Sequence, residues 1–263
     1  MVVTIMSEKY KKPLGRKSYG HIPHLPGSRM GRGDHKCHEG QARIATSRPR
    51  DKHDYITVTE KLDGSNVGVA KKGAEIIALG RAGYRAFTSP YEQHRMFAKW
   101  VHQNKKRFDE LLKEGERACG EWLAQAHGTR YELPHEPFVV FDIMTDSQRI
   151  LNEDMRNRCK RVGFITPHMI WQKTPLSIRQ AMELLASSFH GAIDPVEGAV
   201  WRVERNALID KHSGKRQWRF DFLVKYVHPN KKDGIYLPEV SGKPPVWNWN
   251  MSEQFINDVV RHK

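Results

Sequence analysis

Cysteine is scarce in this sequence: Cys37, Cys119 and Cys159 are the only three in 263 residues, odd in number and far apart. That argues against a disulfide framework or a CxxC metal clamp and fits a reducing compartment. Long apolar runs are missing as well. No stretch approaches the roughly 18 consecutive apolar residues of a membrane-spanning helix. The first residues lack the charged-then-apolar pattern of a secretory signal, so a soluble, intracellular, cytoplasmic protein is expected. Acidic residues are under-represented, 30 Asp and Glu against 44 Lys and Arg, leaving a net charge of +14. An excess of that size favours a polyanionic partner, with nucleic acid first among the candidates. There is no internal repeat and no low-complexity segment to suggest a solenoid or a linker.

What is present is unevenly distributed. Residues 1–50 hold eleven Lys and Arg against three acidic residues, among glycines and four prolines. This reads as a basic arm, 1–53, and its Tyr19, Ile22 and Leu25 predict that part of it packs on the body, since disordered tails lack such anchors. From Asp54 onward, short runs rich in Val, Ile, Phe and Tyr are punctuated by Gly and Asp, the pattern of strands. The runs are Tyr55–Thr59, Asn66–Lys71, Ile76–Arg81, Ala118–Leu123, Phe138–Ile143, Val196–Val203 and Phe220–Val227. Asp63-Gly64 and Lys72-Gly73 separate the first three, which predicts an antiparallel meander.

Helical spacing appears in three places. After Ser89-Pro90, Phe97, Trp100, Val101, Phe108, Leu111 and Leu112 recur at helix period, with a break near Asn104. Ser177-x-x-Gln180 is a capping box for a helix presenting Ile178, Ala181, Met182, Leu185 and Phe189. Ser252 precedes a short amphipathic run, Phe255, Ile256, Val259 and Val260. Strands with interspersed helices in this order predict an α+β domain of antiparallel sheets flanked by helices. It would span 54–228, followed by a C-terminal cap over 229–263. Trp247 and Trp249, after Pro244-Pro245, are expected to pin the tail to the domain.

The most informative stretch is Glu60-Lys61-Leu62-Asp63-Gly64-Ser65-Asn66, a lysine set between a strand and a tight turn. Lysine is a nucleophile only when neutral, so a catalytic role calls for a lowered pKa from burial or a neighbouring cation. Attack by such an amine on a phosphorus builds negative charge on the oxygens, which cations such as Lys225 would meet. Glu121 and Glu197, on strands, are oxygen donors of the kind that hold ribose hydroxyls or Mg²⁺. The cluster His35, Cys37 and His38 is too tightly spaced, and lacks the second ligand pair, for a zinc site.

Taken together and in order, these stretches resemble the covalent nucleotidyltransferases, the superfamily of DNA ligases, RNA ligases and mRNA-capping guanylyltransferases, and within it the ATP-dependent RNA ligases. Lys61-Leu62-Asp63-Gly64 is similar to the first motif, whose lysine becomes linked to AMP, and Arg81 in Gly80-Arg81-Ala82-Gly83 to an arginine on nucleotide or phosphate. Glu121 in Gly120-Glu121-Trp122 resembles the ribose-binding glutamate, and Phe141-Asp142 the phenylalanine that stacks on the purine and the aspartate that closes the site. Glu197-Gly198 resembles the metal-holding motif, and Phe222-Leu223-Val224-Lys225-Tyr226 the motif whose lysine engages the α-phosphate.

The resemblance implies a nucleotidyltransferase fold, that of an ATP-grasp-like ligase adenylation domain, without an OB-fold domain after the last motif. It implies catalysis by Lys61 and Lys225 and nucleotide contacts from Glu60, Lys61, Asn66, Arg81, Glu121, Phe141, Glu197 and Lys225. A Mg²⁺ or Mn²⁺ ion would sit on Glu197, Asp63 and Asp142. ATP is the implied cofactor and nicked or broken RNA the implied partner, in a pathway of RNA repair. A DNA-containing duplex is a second possible partner, and a separate kinase or phosphatase would prepare the ends. A DNA ligase, a capping-type guanylyltransferase or an inactive nucleic-acid-binding protein are the alternatives. One departure stands out: the last motif commonly carries two lysines one residue apart, and Leu223 occupies the first position. Either Lys231 or Lys232 supplies the charge, or the register is displaced by two.

Overall fold

Strand-forming residues alternating between core and cleft build two antiparallel sheets. The computed structural model describes residues 11–210 and 212–249. Its strands are β1 (Asp54–Lys61), β2 (Ser65–Lys72), β3 (Glu75–Gly80), β4 (Glu116–Trp122), β5 (Phe138–Thr145), β6 (Gln148–Arg149), β7 (Met169–Lys173), β8 (Gly198–Leu208) and β9 (Arg216–Val227). One sheet runs β7-β1-β8-β9, the other β3-β2-β4-β5-β6. This is the mixed fold of antiparallel sheets and helices that the sequence leads one to expect, and each of the seven expected strands is present. The two unforeseen strands, β6 and β7, lie at sheet edges, and β7 is half exposed, so it lacks the apolar run that marks a buried strand.

The expected meander of the first three strands does not form. β2 and β3 make the hairpin, turning at Gly73 with φ 58°, but β1 pairs with β7 and β8 in the other sheet. Leu62-Asp63-Gly64 therefore carries the chain across the gap between sheets. Leu62 is drawn into a cluster with Leu123, Tyr131 and Val139. The Asp63 carboxylate accepts the Gly128 N–H at 3.1 Å and the Thr129 hydroxyl at 3.0 Å. Gly64 lies flush against β4, where a Cβ would come within 2.6 Å of the Trp122 carbonyl oxygen. Gly64→Ala should therefore force the crossing off its neighbour and cost about 1–3 kcal/mol, the range of overpacking substitutions. A thermal melt showing no loss of midpoint would refute the close approach.

The helix expected after Pro90 is broken at Asn104 into α2 (Glu92–Gln103) and α3 (Lys105–Leu111), numbered after α1 (Glu39–Thr46) in the arm. Phe97, Trp100 and Phe108 pack from these helices onto Trp122, Phe138 and Phe164, with Phe97 and Trp122 ring centres 5.2 Å apart. Such aromatic pairs add about 0.5–1.5 kcal/mol each beyond the area they bury. α4 (Asn152–Arg161) covers the same sheet through Met155 and Cys159. The Ser177 box opens α5 (Ile178–Leu184), but that helix ends before Phe189, which stacks instead on His168. Ala42, Ile44 and Ala45 of α1, with Leu25, join the core of the other sheet. Tyr19 and Leu25 of this segment are buried against the sheets. A single turn, α6 (Pro238–Ser241), precedes a tail in which Trp249 meets Trp122 edge-on at 6.1 Å. The helix expected over 252–260 lies outside the described residues. No helix among the described residues is long and apolar enough to cross a membrane.

Candidate active site

Between the two sheets lies a cavity of about 880 Å³, at the upper end of the range for small-molecule sites. Strand register decides what faces it. Lys61, the last residue of β1, pairs with Gly198 at the start of β8, which sets Glu197 beside it. The Lys61 ammonium contacts the Glu197 carboxylate. Across the gap, Asn66 of β2 pairs with Glu121 of β4, and the Glu121 carboxylate accepts the Gly64 N–H at 3.1 Å. Val200 of β8 pairs with Lys225 of β9, and Arg202 with Leu223. Phe141 and Asp142 face the same space from β5, and Arg81 stands at its mouth just past β3.

Burial dominates the electrostatics. It pushes Glu121 up to about 8 and Glu197 up to about 7, against the opposing pull of Lys61. Burial also works against the charge on Lys61, but Glu197 and Glu121 more than offset it, so the lysine pKa is raised. The lowered pKa expected of a nucleophilic lysine is thus not found while Glu197 faces it. Lys225 is shifted down, by burial and then by the charge of Lys61. Asn66 Oδ1 is a buried acceptor without a partner among the described residues, in the wall of the cavity. A buried polar atom left unpaired is costly, and a ligand hydroxyl or amine would satisfy it.

The predicted residues do not all converge. Lys61, Asn66, Glu121, Phe141, Glu197 and Lys225 do. Glu60 borders the cavity, but its buried carboxylate accepts from the Ser188 hydroxyl and the Phe189 N–H. It anchors the segment after α5, and its side chain is committed there. The three carboxylates expected around a metal ion are not gathered: among the described residues there is no group of three or more such ligands. Asp63 is committed to residues 128–129 and lies 3.6 Å from Lys231. Asp142 is gripped by Arg202 at 2.6 Å and Arg149 at 2.8 Å, and accepts the Tyr19 hydroxyl at 2.6 Å. Glu197 remains, and one carboxylate completed by substrate phosphates is a usual way to hold Mg²⁺.

Leu223 and Lys225 both line the cavity, as alternate residues of one strand, and a leucine stands where a second lysine was expected. Lys231 does not replace it. Its ammonium contacts Thr129 and the Pro195 carbonyl. Arg202 is the cross-strand neighbour of Leu223, yet its donors go to Asp142, Glu204 and the Ile150 carbonyl. The sequence reading missed this polar bolt and also the arm residues His24 and Asp34 at Lys225. One signal was available: Asp34 is the only acidic residue between positions 9 and 38.

Residues 54–227, which carry all these side chains but those of the arm and Lys231, match a family model for RNA ligase. The chain belongs to the RNA ligase family. An RNA ligase of Naegleria gruberi solved with ATP and manganese aligns at TM-score 0.50 and 17% identity, covering 86% of this chain and 65% of that one, which shows the shared fold. An archaeal ATP-dependent RNA ligase aligns at TM-score 0.45 and 16% identity, covering 80% of this chain and 48% of its own. This RNA ligase family member thus spans about half the length of that archaeal protein. No curated protein sequence matches it.

Proposed function

We propose that this chain is an ATP-dependent RNA ligase that joins 3′-hydroxyl and 5′-phosphate ends through a lysyl-AMP. The observation that carries the reading is the half-buried amine of Lys61 in the cavity between the sheets, in contact with Glu197 and sharing the cavity wall with Lys225. The Lys61 nitrogen attacks the α-phosphorus of ATP, forming the phosphoramidate and releasing pyrophosphate. Lys225 meets the charge that develops on the α-phosphate oxygens. Phe141 offers the base a face, and Glu121 with Asn66 offers acceptors to the ribose. The AMP then passes to an RNA 5′-phosphate. A 3′-hydroxyl attacks that end, AMP leaves and the phosphodiester forms.

Glu197 fits as the protein ligand of Mg²⁺ or Mn²⁺, which would neutralise phosphate charge. In the free protein it holds Lys61 charged. With Glu197 engaged elsewhere, Lys61 loses the foremost of the carboxylates that hold it charged; Glu121 still faces it, and burial then weighs more heavily toward the neutral nucleophile. Exposed Lys and Arg would follow the RNA backbone, so binding should weaken steeply with salt. Nicked or broken RNA is the proposed substrate, including duplexes with a DNA strand. Ends lacking a 5′-phosphate or a 3′-hydroxyl need a separate kinase or phosphatase, and the proposed location is the cytoplasm.

The test is incubation with α-labelled ATP or GTP and a divalent metal, followed by denaturing electrophoresis. ATP should label the chain, and the label should pass to 5′-phosphorylated RNA. Labelling by GTP alone would indicate a capping-type enzyme instead. The labelling rate should climb with pH from 6 to 9. Glu197, with its pKa raised to about 7, becomes charged over that interval. The neutral fraction of Lys61, whose pKa is also raised, increases over it too. A rate that falls from the low end of this range, before Lys225 can lose its charge, would overturn the amine nucleophile.

A further inference from the structure

The amino-terminal segment crosses the mouth of the cavity from one sheet to the other. The N–H groups of Ser18 and Tyr19 donate to the Arg81 carbonyl, at 3.0 and 3.4 Å, just past β3. A few residues on, the Lys225 N–H donates to the Pro23 carbonyl at 2.9 Å and the Leu25 N–H to the Lys225 carbonyl at 2.8 Å. Between these anchors Gly20 and Ile22 form part of the cavity wall. The chain then doubles back, with the His24 N–H on His35 and the Cys37 N–H on His24, and this return brings Asp34 over β9.

Asp34 Oδ1 lies 3.7 Å from the Lys225 ammonium. Oδ2 accepts the Gly31 N–H at 3.0 Å and lies 3.1 Å from Nε2 of the buried His24 ring. The other ring nitrogen of His24 is 2.7 Å from the Ser28 hydroxyl, which accepts the Val227 N–H at 2.9 Å. The carboxylate is therefore held by the Gly31 N–H and set against the His24 ring, which Ser28 ties to β9, through residues outside every motif matched above.

We infer that Asp34 is a positioning residue for Lys225, holding its ammonium charged and aimed into the nucleotide cavity, with His24 and Ser28 bracing the carboxylate. The inference rests on the ligase reading for its consequence. The charged or titratable groups that act on Lys225 are Lys61 from β1, Arg81 past β3, Glu197 before β8, and Asp34, His24 and His21 from the arm. Burial, Lys61 and Arg81 all disfavour its charge. Glu197 is in contact with Lys61, which leaves Asp34 as the carboxylate serving Lys225. With Leu223 uncharged, the cationic character of this strand at the α-phosphate depends on that one ammonium.

The experiment uses Asp34→Asn, Asp34→Glu, Lys225→Ala and the double variant Asp34→Asn/Lys225→Ala, with two readouts. The first is the pH dependence of Lys225 acetylation, followed by mass spectrometry. Asp34→Asn should move its midpoint down by about one unit, a tenfold change in the protonation equilibrium, and Asp34→Glu should restore most of it. The second is the single-turnover rate of lysyl-AMP formation. Asp34→Asn should slow it about tenfold in the wild type and leave Lys225→Ala unchanged, the non-additivity of groups acting through one another. An unshifted Lys225 midpoint, or equal slowing in both backgrounds, would overturn the inference. If the wild type forms no lysyl-AMP the ligase reading fails, and the Lys225 titration still decides whether Asp34 controls that amine.

Discussion

Lys61→Ala is expected to reduce ATP-dependent labelling of the chain to background, a loss of at least about a thousandfold, as for other residues that supply the nucleophile. Among the described residues no other amine stands where this one does. Lys225 lines the cavity from β9, two strands along the same sheet, and Lys231 is committed to Thr129 and Pro195. The substitution leaves the fold intact, because Glu197 has a pKa already near 7 and can take up a proton once its partner is gone. Lys61→Arg should be equally inactive: a guanidinium keeps the contact with Glu197 but stays protonated and cannot attack. Both variants should still join RNA that carries a pre-formed 5′-adenylate, since the attacking group in that step is the 3′-hydroxyl. Retained labelling in Lys61→Ala would place the nucleophile elsewhere. Loss of joining on pre-adenylated RNA would show that Lys61 serves the last step as well.

Asp142→Ala is expected to produce the largest loss of stability. Its carboxylate is nearly inaccessible and ties three parts of the molecule together: Arg149 beside β5, Arg202 of β8 in the opposite sheet, and Tyr19 of the arm. Arg202 also donates to Glu204 and to the Ile150 carbonyl, and Glu204 in turn accepts the Asn152 N–H at 2.7 Å. Removing the carboxylate leaves two arginines partly or wholly buried without their counter-ion. Breaking a buried pair in this way costs about 3–5 kcal/mol. For a chain of this size that corresponds to a midpoint lower by about 6–20 °C. A circular dichroism melt showing a drop of less than about 2 °C would mean that the bolt is not structural, and would return Asp142 to candidacy as a metal ligand.

How far the residues alone carry this reading can be followed in particular cases. The seven main strands were legible because Val, Ile, Phe and Tyr alternate within bounded runs, a local property of the chain. The break at Asn104 and the Ser177 box were legible for the same reason, as local hydrogen-bonding preferences. Lys61, Glu121, Phe141, Glu197 and Lys225 were legible as an ordered series of short motifs. The link after β1 was not. Asp63-Gly64 between two apolar runs looks the same whether it closes a hairpin or crosses between sheets, and the choice was made by Leu62, Asp63 and Gly64 finding partners about sixty residues away.

By itself, then, the sequence determined the strands, most of the helices and the inventory of chemically active side chains, because each depends on neighbours close along the chain. Only the tertiary structure decided which carboxylates serve which cations. Glu197 goes to Lys61, Asp142 to two arginines, Asp63 to the loop at 128–129, and Asp34, from an arm about 190 residues away, to Lys225. These pairings rest on sheet register and on the path of the arm across the cavity. In a buried site, a charge is stabilised by whichever partner the fold brings within a few ångströms, and that distance is not encoded at any single position.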